Sequence, residues 1–173
     1  MASGRSTTFA VLSVLVAALL AGLYMTLPHF QAFFVLPMIN DISTDLDDPP
    51  QFVHLDVPPY PGANAPVQRD GYPDLAGIVL PAQPAEAFER ARDAAIDLDW
   101  RIGSADAPGE DGNARLEAVA TTPLFRFRDD VVVRLRPEGD GTRIDLRSRS
   151  RIGRHDLGTN AKRIRDFLDR VQR

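Results

Sequence analysis

The sequence predicts an α+β fold: an N-terminal single transmembrane helix, then a small antiparallel sheet with two covering helices. Three observations carry this. An uncharged apolar run, Phe9 to Leu27, opens the chain. Two later segments, from Pro84 and from Asp156, place apolar residues at helical spacing. The stretches between them alternate apolar and charged residues with the period of two that a strand imposes. At 173 residues and 44% hydrophobic, the chain has room for one folded domain beside a membrane segment, not for two cores.

The run FAVLSVLVAALLAGLYMTL carries no charge, and about 20 such residues span a hydrocarbon core as a helix. A cleaved signal peptide is the competing reading. The run exceeds the roughly 7 to 15 residues of a usual signal core, and no good small-x-small cleavage site follows it. Arg5 precedes the run and Asp41, Asp45, Asp47 and Asp48 follow it, so the positive-inside bias predicts a cytoplasmic N-terminus and a periplasmic C-terminal domain at a bacterial inner membrane. Residues 1–28 are thus expected to be the anchor. HFQAFFVLPMI, His29 to Ile39, is too short to span again and suits the headgroup interface or a partner's surface.

NDISTDLDDPP, Asn40 to Pro50, spaces oxygen-bearing side chains like the opening of a calcium loop. Leu46 stands where the turn glycine belongs and Phe52 where the bidentate glutamate belongs, so a solvated acidic turn is expected instead. Seven prolines between Pro49 and Pro73 disfavour helix and central strand. Residues 29–74 are accordingly read as an interfacial segment and an extended tether.

The domain is expected over 75–173. Ala76 to Leu80 is a short apolar strand candidate. Phe88, Ala91, Ala95 and Leu98 form a helical stripe, with Pro84 in the first turn. A brief strand at Trp100 to Ile102, a loop from Gly103 to Gly112 and a half-buried strand from Ala114 to Thr122 follow. DDVVVRLR, Asp129 to Arg136, and TRIDLRSRS, Thr142 to Ser150, flank the turn PEGDG. Setting Arg136 opposite Arg143 pairs Arg134 with Asp145, Val132 with Arg147 and Asp130 with Arg149. The other face then pairs Leu135 with Ile144, Val133 with Leu146 and Val131 with Ser148. A one-residue slip would put charge into that apolar face, so the register is specified. The arginines are read as the outer face of an edge or near-edge hairpin. Leu157, Ala161, Ile164, Leu168 and Val171 form a last helical stripe, with Asp156 as its N-cap.

RSRSRIGRHDLGTN, Arg147 to Asn160, is the stretch where a ligand is expected. Gly153 permits a sharp turn, and helix-start amides beside Arg151 and Arg154 would hold an anion. The candidate ligand-binding residues are Arg147, Arg151, Gly153, Arg154, Asp156 and Asn160. A Ser-His-Asp triad is not expected: Ser148 points into the core, Ser150 lies on a regular strand, and His155 and Asp156 are adjacent with diverging side chains. His29, His54 and His155 are too scattered to suggest a metal site, and no cysteine is present. No catalytic residue, cofactor or metal is assigned.

TTPLFRFRDDVVVRLRP, Thr121 to Pro137, and RIDLRSRSRIGRHDLGTNAKRIRDFL, Arg143 to Leu168, resemble the DUF1499 family, a domain of unknown function in bacteria and plant plastids. PPQF at Pro49 to Phe52 and YPDL at Tyr72 to Leu75 also fit. The specific part is RS-x-SR-x-G-x-x-DLG-x-N, Arg147 to Asn160. The resemblance implies an identity without a mechanism, since the family's activity and ligand are not established. It marks Asp129, Asp130, Arg147, Ser150, Arg151, Gly153, Asp156 and Asn160 for substitution, and His155 stands where the family would have a small polar residue. The order of elements is also similar to a small helix-grip or START-like fold, which would permit a lipid pocket between sheet and helix, although fold is not function.

The formal charge of −4 and the pI near 5.3 exclude general nucleic-acid affinity, so any basic site is local. The leading expectation is a non-enzymatic, membrane-anchored accessory or binding protein. Its partners would be membrane lipids, a membrane protein complex, or a small anion or lipid ligand. Small residues Ala17, Ala18, Ala21 and Gly22 would also allow the anchor to pack closely against another helix. The alternative is a membrane-associated enzyme using Asp129, Asp130 and the segment from Arg147 to Asp156, which requires those groups to converge in a concave site.

Overall fold

The computed structural model describes residues 14–23 and 36–173. The chain divides into two units between Leu36 and Pro37. In the first, residues 14–23 form a helix, α1, whose side chains are exposed. No helix among the described residues is long and apolar enough to cross a membrane. The expected span from Phe9 to Leu27 extends past both ends of α1 into residues outside those described, as does the interfacial stretch from residue 29 to 35.

The second unit is a mixed α+β domain. Its elements run β1 (Asp41–Ser43), α2 (Asn64–Gly71), β2 (Ile78–Leu80), α3 (Pro84–Asp97), β3 (Arg101–Asp106), β4 (Ala114–Thr121), β5 (Arg128–Glu138), β6 (Gly141–Ser150) and α4 (Thr159–Val171). The strands form one antiparallel sheet in the order β1-β6-β5-β4-β3, and β2 also pairs with β6. The short strands β1 and β2 lie end to end along the outer edge of β6, against Arg147 to Arg149 and Thr142 to Ile144. Thr44 closes the gap between them: its N–H donates to the Leu146 carbonyl, and its hydroxyl accepts the Leu146 N–H.

The β5–β6 register is the one the alternation predicts, from Arg136 opposite Arg143 to Asp130 opposite Arg149. Gly139, with φ 58°, takes the first place of the two-residue turn, where positive φ favours glycine. The hairpin is near an edge rather than at one: β5 is flanked by β4, and β6 has only the short strands β1 and β2 outside it.

One face of the sheet carries α3 and α4. Val131, Val133, Leu135, Ile144 and Leu146 are fully buried there, with Ala87, Phe88 and Ala91 of α3 and Ile164, Phe167 and Leu168 of α4 also in the core. Trp100, just before β3, stacks on Phe167 with ring centroids 5.1 Å apart. Pro84 opens α3 as expected, because its missing N–H is one that a first turn leaves unbonded anyway. β3 runs to Asp106 rather than stopping at Ile102, through a bulge between Ile102 and Ser104. α4 begins at Thr159, two residues later than the stripe suggested. Leu157 stays outside it with φ 54°, partly exposed.

The opposite face is where sequence and structure part. Residues 44–60, expected to belong to an extended tether, lie across the charged face of β4, β5 and β6 as a strap. Segment 29–74 thus supplies β1, the strap and α2 to the folded unit. The acidic turn after Asn40 is not simply solvated: Asp41 is in β1, 1% exposed. β4 is buried on both faces rather than half-buried, and even Glu117 is inaccessible.

Candidate functional site

The strap is held by ion pairs and by hydrogen bonds to a buried carboxylate. The Glu117 carboxylate accepts three consecutive N–H groups, from Val53 at 2.5 Å, His54 at 3.1 Å and Leu55 at 2.9 Å. Arg134 and Arg136 both reach Asp45 and Asp48 of the strap, and Arg136 also donates to Asp145 on β6. The Asp45 carboxyl loses solvent, which raises its pKa. The Asp48 and Asp47 amides and the two arginines outweigh that and hold it below the ordinary value of 3.8.

Arg147, which carried the expectation of a ligand, is 0% exposed. Its guanidinium donates to both carboxylate oxygens of Asp41, at 2.9 and 2.8 Å, and to the Pro58 carbonyl at 2.8 Å. Phe52 and Tyr60 present their rings to it at 5.4 and 5.7 Å. Burial pushes the Asp41 carboxyl up, against the downward pull of Arg147 and Arg149, and pushes the Tyr60 phenol well above its usual range.

On the helix face a second polar cluster joins β5, β6 and α4. Ser148 Oγ donates to Asn160 Oδ1 at 2.7 Å, and Asn160 Nδ2 donates to Ser150 Oγ at 3.0 Å and to the Asn40 carbonyl at 3.1 Å. Arg163 donates to Asn160, to Ser148 and, at 2.6 Å, to Asp129. Alternation along β5 sends Asp129 to this face and Asp130 to the other. There Arg151 grips Asp130 at 2.6 to 3.0 Å. The two carboxylates that an enzyme would need together are thus on opposite sides of the sheet, each paired with its own arginine.

Asp156 caps α4 from two residues further upstream than an ordinary N-cap. Its carboxylate accepts the N–H groups of Gly158 and Asn160, both at 2.9 Å, so a side chain of the protein already fills the place an anion would take at these amides. Burial raises its pKa, with those amides pulling the other way. Of the six candidate residues, Arg147, Asp156 and Asn160 are internal, Arg151 is committed to Asp130, Gly153 is exposed with its carbonyl accepting from Asn40 Nδ2, and Arg154 is exposed with no ion pair among the described residues.

None of the six lines either of two cavities on the domain. One, of about 420 Å³, lies over β4 and β5 among Asp48, Asp106, Arg115, Arg134 and Arg136. The other, of about 320 Å³, lies beside the start of α4 among Trp100, Thr122, Thr159, Lys162 and Arg163. No group of His, Cys, Asp and Glu suited to a metal ion occurs among the described residues.

What the domain does expose is a cluster that sequence reasoning passed over. The β4–β5 loop holds Leu124 at 77% and Phe125 at 69% exposure, and the β6–α4 loop holds Ile152 at 67%. The first loop is ordered by its own hydrogen bonds, from Arg126 N–H to the Thr122 carbonyl, from Thr122 N–H to the Phe127 carbonyl, and from Phe127 N–H to Thr122 Oγ1. Phe125 and Phe127 stack with centroids 5.6 Å apart. The signal was in the string PLFRFR, three large apolar residues in a turn between two strands.

No curated protein matches the chain. A solved structure, that of TTHA0849 from Thermus thermophilus, is similar at 17% identity with a TM-score of 0.28, covering 56% of this chain and 94% of that one, too distant a likeness to bear on the site. Residues 41–171, from the first residue of β1 to the last of α4, match the family described as "Protein of unknown function (DUF1499)", and the chain belongs to that family.

Proposed function

We propose that the protein is a membrane-anchored accessory or binding protein, with no reaction of its own, whose domain contacts a membrane protein complex or an anionic or lipid ligand. One observation carries this reading. Charged residues that the family resemblance marks are spent on pairs within the domain, Arg147 with Asp41, Asp129 with Arg163 and Asp130 with Arg151. The side chains left for contact are apolar and basic ones in two loops at one end of the sheet.

The anchor is the run from Phe9 to Leu27, supported by its uncharged composition and by the helix over residues 14–23. With Arg5 before it and the acidic residues after it, the domain belongs on the periplasmic side of a bacterial inner membrane. The finer description we give the fold is helix-grip-like, since α3 and α4 together cover one face of the antiparallel sheet. The enzyme alternative is not favoured, because it needs Asp129 and Asp130 in one concave site and they alternate across β5.

The test is a mild-detergent purification of the intact protein from native membranes, with co-purifying proteins and lipids identified together. In a parallel sample residues 9–27 are replaced by an unrelated anchor. A stoichiometric partner or lipid that accompanies the protein supports the reading. Recovery of the protein alone from both samples, with turnover of a small molecule by the purified chain, contradicts it.

A further inference from the structure

The exposed apolar residues lie among cations. Leu124, Phe125 and Phe127 flank Arg126 in one loop, with Arg128 opening β5 beside them, and Ile152 lies between Arg151 and Arg154 in the other. The two loops are neighbours, because they leave adjacent strands at the same end: Asp129 is opposite Ser150, and Arg151 N–H donates to the Arg128 carbonyl. Arg126, Arg128 and Arg154 make no ion pair among the described residues, nor do Arg101 and Arg115 on β3 and β4, whereas Arg134, Arg136, Arg143, Arg147 and Arg149 on β5 and β6, and Arg151 just after β6, are each matched to a carboxylate. In a chain with a formal charge of −4, this is a local reversal of sign.

The folded unit also begins at this end. The Ile39 carbonyl accepts the Asp156 N–H, the Asn40 carbonyl accepts the Ser150 N–H at 2.8 Å, and Asn40 Nδ2 donates to the Gly153 carbonyl at 2.5 Å. Only residues 28–36 separate the end of the apolar N-terminal run from Pro37. Nine residues reach at most about 30 Å. An anchor ending at Leu27 would thus be joined to the domain at this end.

We propose that the β4–β5 and β6–α4 loops form a membrane-contacting surface, with Leu124, Phe125 and Ile152 entering the interface and Arg126, Arg128 and Arg154 meeting anionic lipid headgroups. The chemistry matches on both counts. Large apolar side chains seat at the acyl boundary, and juxtamembrane cations are drawn to negative headgroups within a Debye length of the surface. This deepens the proposed function and rests on it where the anchor sets the orientation. The charge and exposure of the loops do not depend on the anchor.

The chain has no cysteine, so a single one reports its own position. The full chain carrying Phe125→Cys, or Asp140→Cys in the opposite turn, is labelled with an environment-sensitive fluorophore. Each is reconstituted with vesicles of phosphatidylcholine, with or without phosphatidylglycerol, and floated on a density gradient. The expected result is a blue shift and quenching by a lipid-borne quencher at position 125 with phosphatidylglycerol present, no shift at position 140, and loss of the shift with Arg126→Ala and Arg154→Ala together. A chain that floats with both vesicles while position 125 stays aqueous overturns the surface and leaves the anchor standing. Flotation only with phosphatidylglycerol supports the surface and removes the anchor. Failure to float with either overturns both.

Discussion

Arg147 on β6 and Asp41 on β1, 106 residues apart in sequence, form a doubly hydrogen-bonded ion pair with both side chains inaccessible to solvent. The pair fastens the first residues of the folded unit to the middle of its sheet. It also accounts for an arginine that would otherwise look like a ligand site.

Removing one partner strands the other charge. Asp41→Ala is expected to destabilise the domain by about 3–5 kcal/mol, the usual cost of leaving a buried charge uncompensated. Arg147 Nη1 is already buried without a hydrogen-bond partner. The apolar double substitution Asp41→Leu with Arg147→Met is therefore expected to recover most of the loss. Denaturant unfolding of the parent, Asp41→Ala and the double variant checks both expectations.

Glu117 holds the strap by three amides at once, and hydrogen bonds to a charged group contribute a net of about 1.5–3 kcal/mol each. Glu117→Ala is expected to speed hydrogen exchange at Val53, His54 and Leu55 while the amides of β5 and β6 keep their protection. Exchange followed by mass spectrometry separates this from general loosening, which would raise all of them.

The strap and the start of α4 respond to acid with opposite sign. Asp45 is held below 3.8, so its ionised form favours the folded state. That contribution is complete above the unfolded value of about 3.9 and disappears as the pH falls through the lower folded value. Asp156 is raised by burial, so the folded state takes up its proton more readily and gains stability as the pH falls through the raised value. Asp45→Asn is expected to cost most near neutral pH and progressively less as the pH falls below the unfolded value towards the lowered folded one. The stability difference between parent and variant across pH measures it.

Gly77 packs against β6 so closely that an added Cβ would lie 2.2 Å from Asp145 Oδ1 and 2.7 Å from the Ile144 carbonyl oxygen. Asp145 is itself fixed by Arg136, Arg143 and Thr44 and has little room to yield. Gly77→Ala is expected to cost about 1–3 kcal/mol through overpacking. Thermal unfolding checks it, with Gly62→Ala, where an added Cβ meets nothing within 4 Å, as the neutral comparison.

The β5–β6 hairpin was legible residue by residue, because its alternation admits one register without charge on the apolar face. α3 was legible from Pro84 and its stripe. The strap was not, since alternation looks the same whether arginines face water or a cover that carries carboxylates. β1 has only three residues and no pattern of its own, and its partner is far away in sequence. One clue was present: Asp41, Asp45 and Asp48, upstream of the prolines, are available to match Arg134, Arg136 and Arg147. The candidate ligand site was read from arginines of which Arg147 has its partner, Asp41, in that unrecognised segment, and Arg151 has its partner, Asp130, on the neighbouring strand β5. The exposed apolar loop was in plain sight but carries no periodicity, so a search for elements passed over it.

Attachment through residues 9–27 underlies the proposed function and is tested most directly by alkaline carbonate extraction of membranes from cells expressing the full chain, with mass analysis of the N-terminus in the pellet. Retention in the pellet with residues 9–27 present is the predicted result. Release into the supernatant, or a pellet form that begins beyond residue 28, contradicts it.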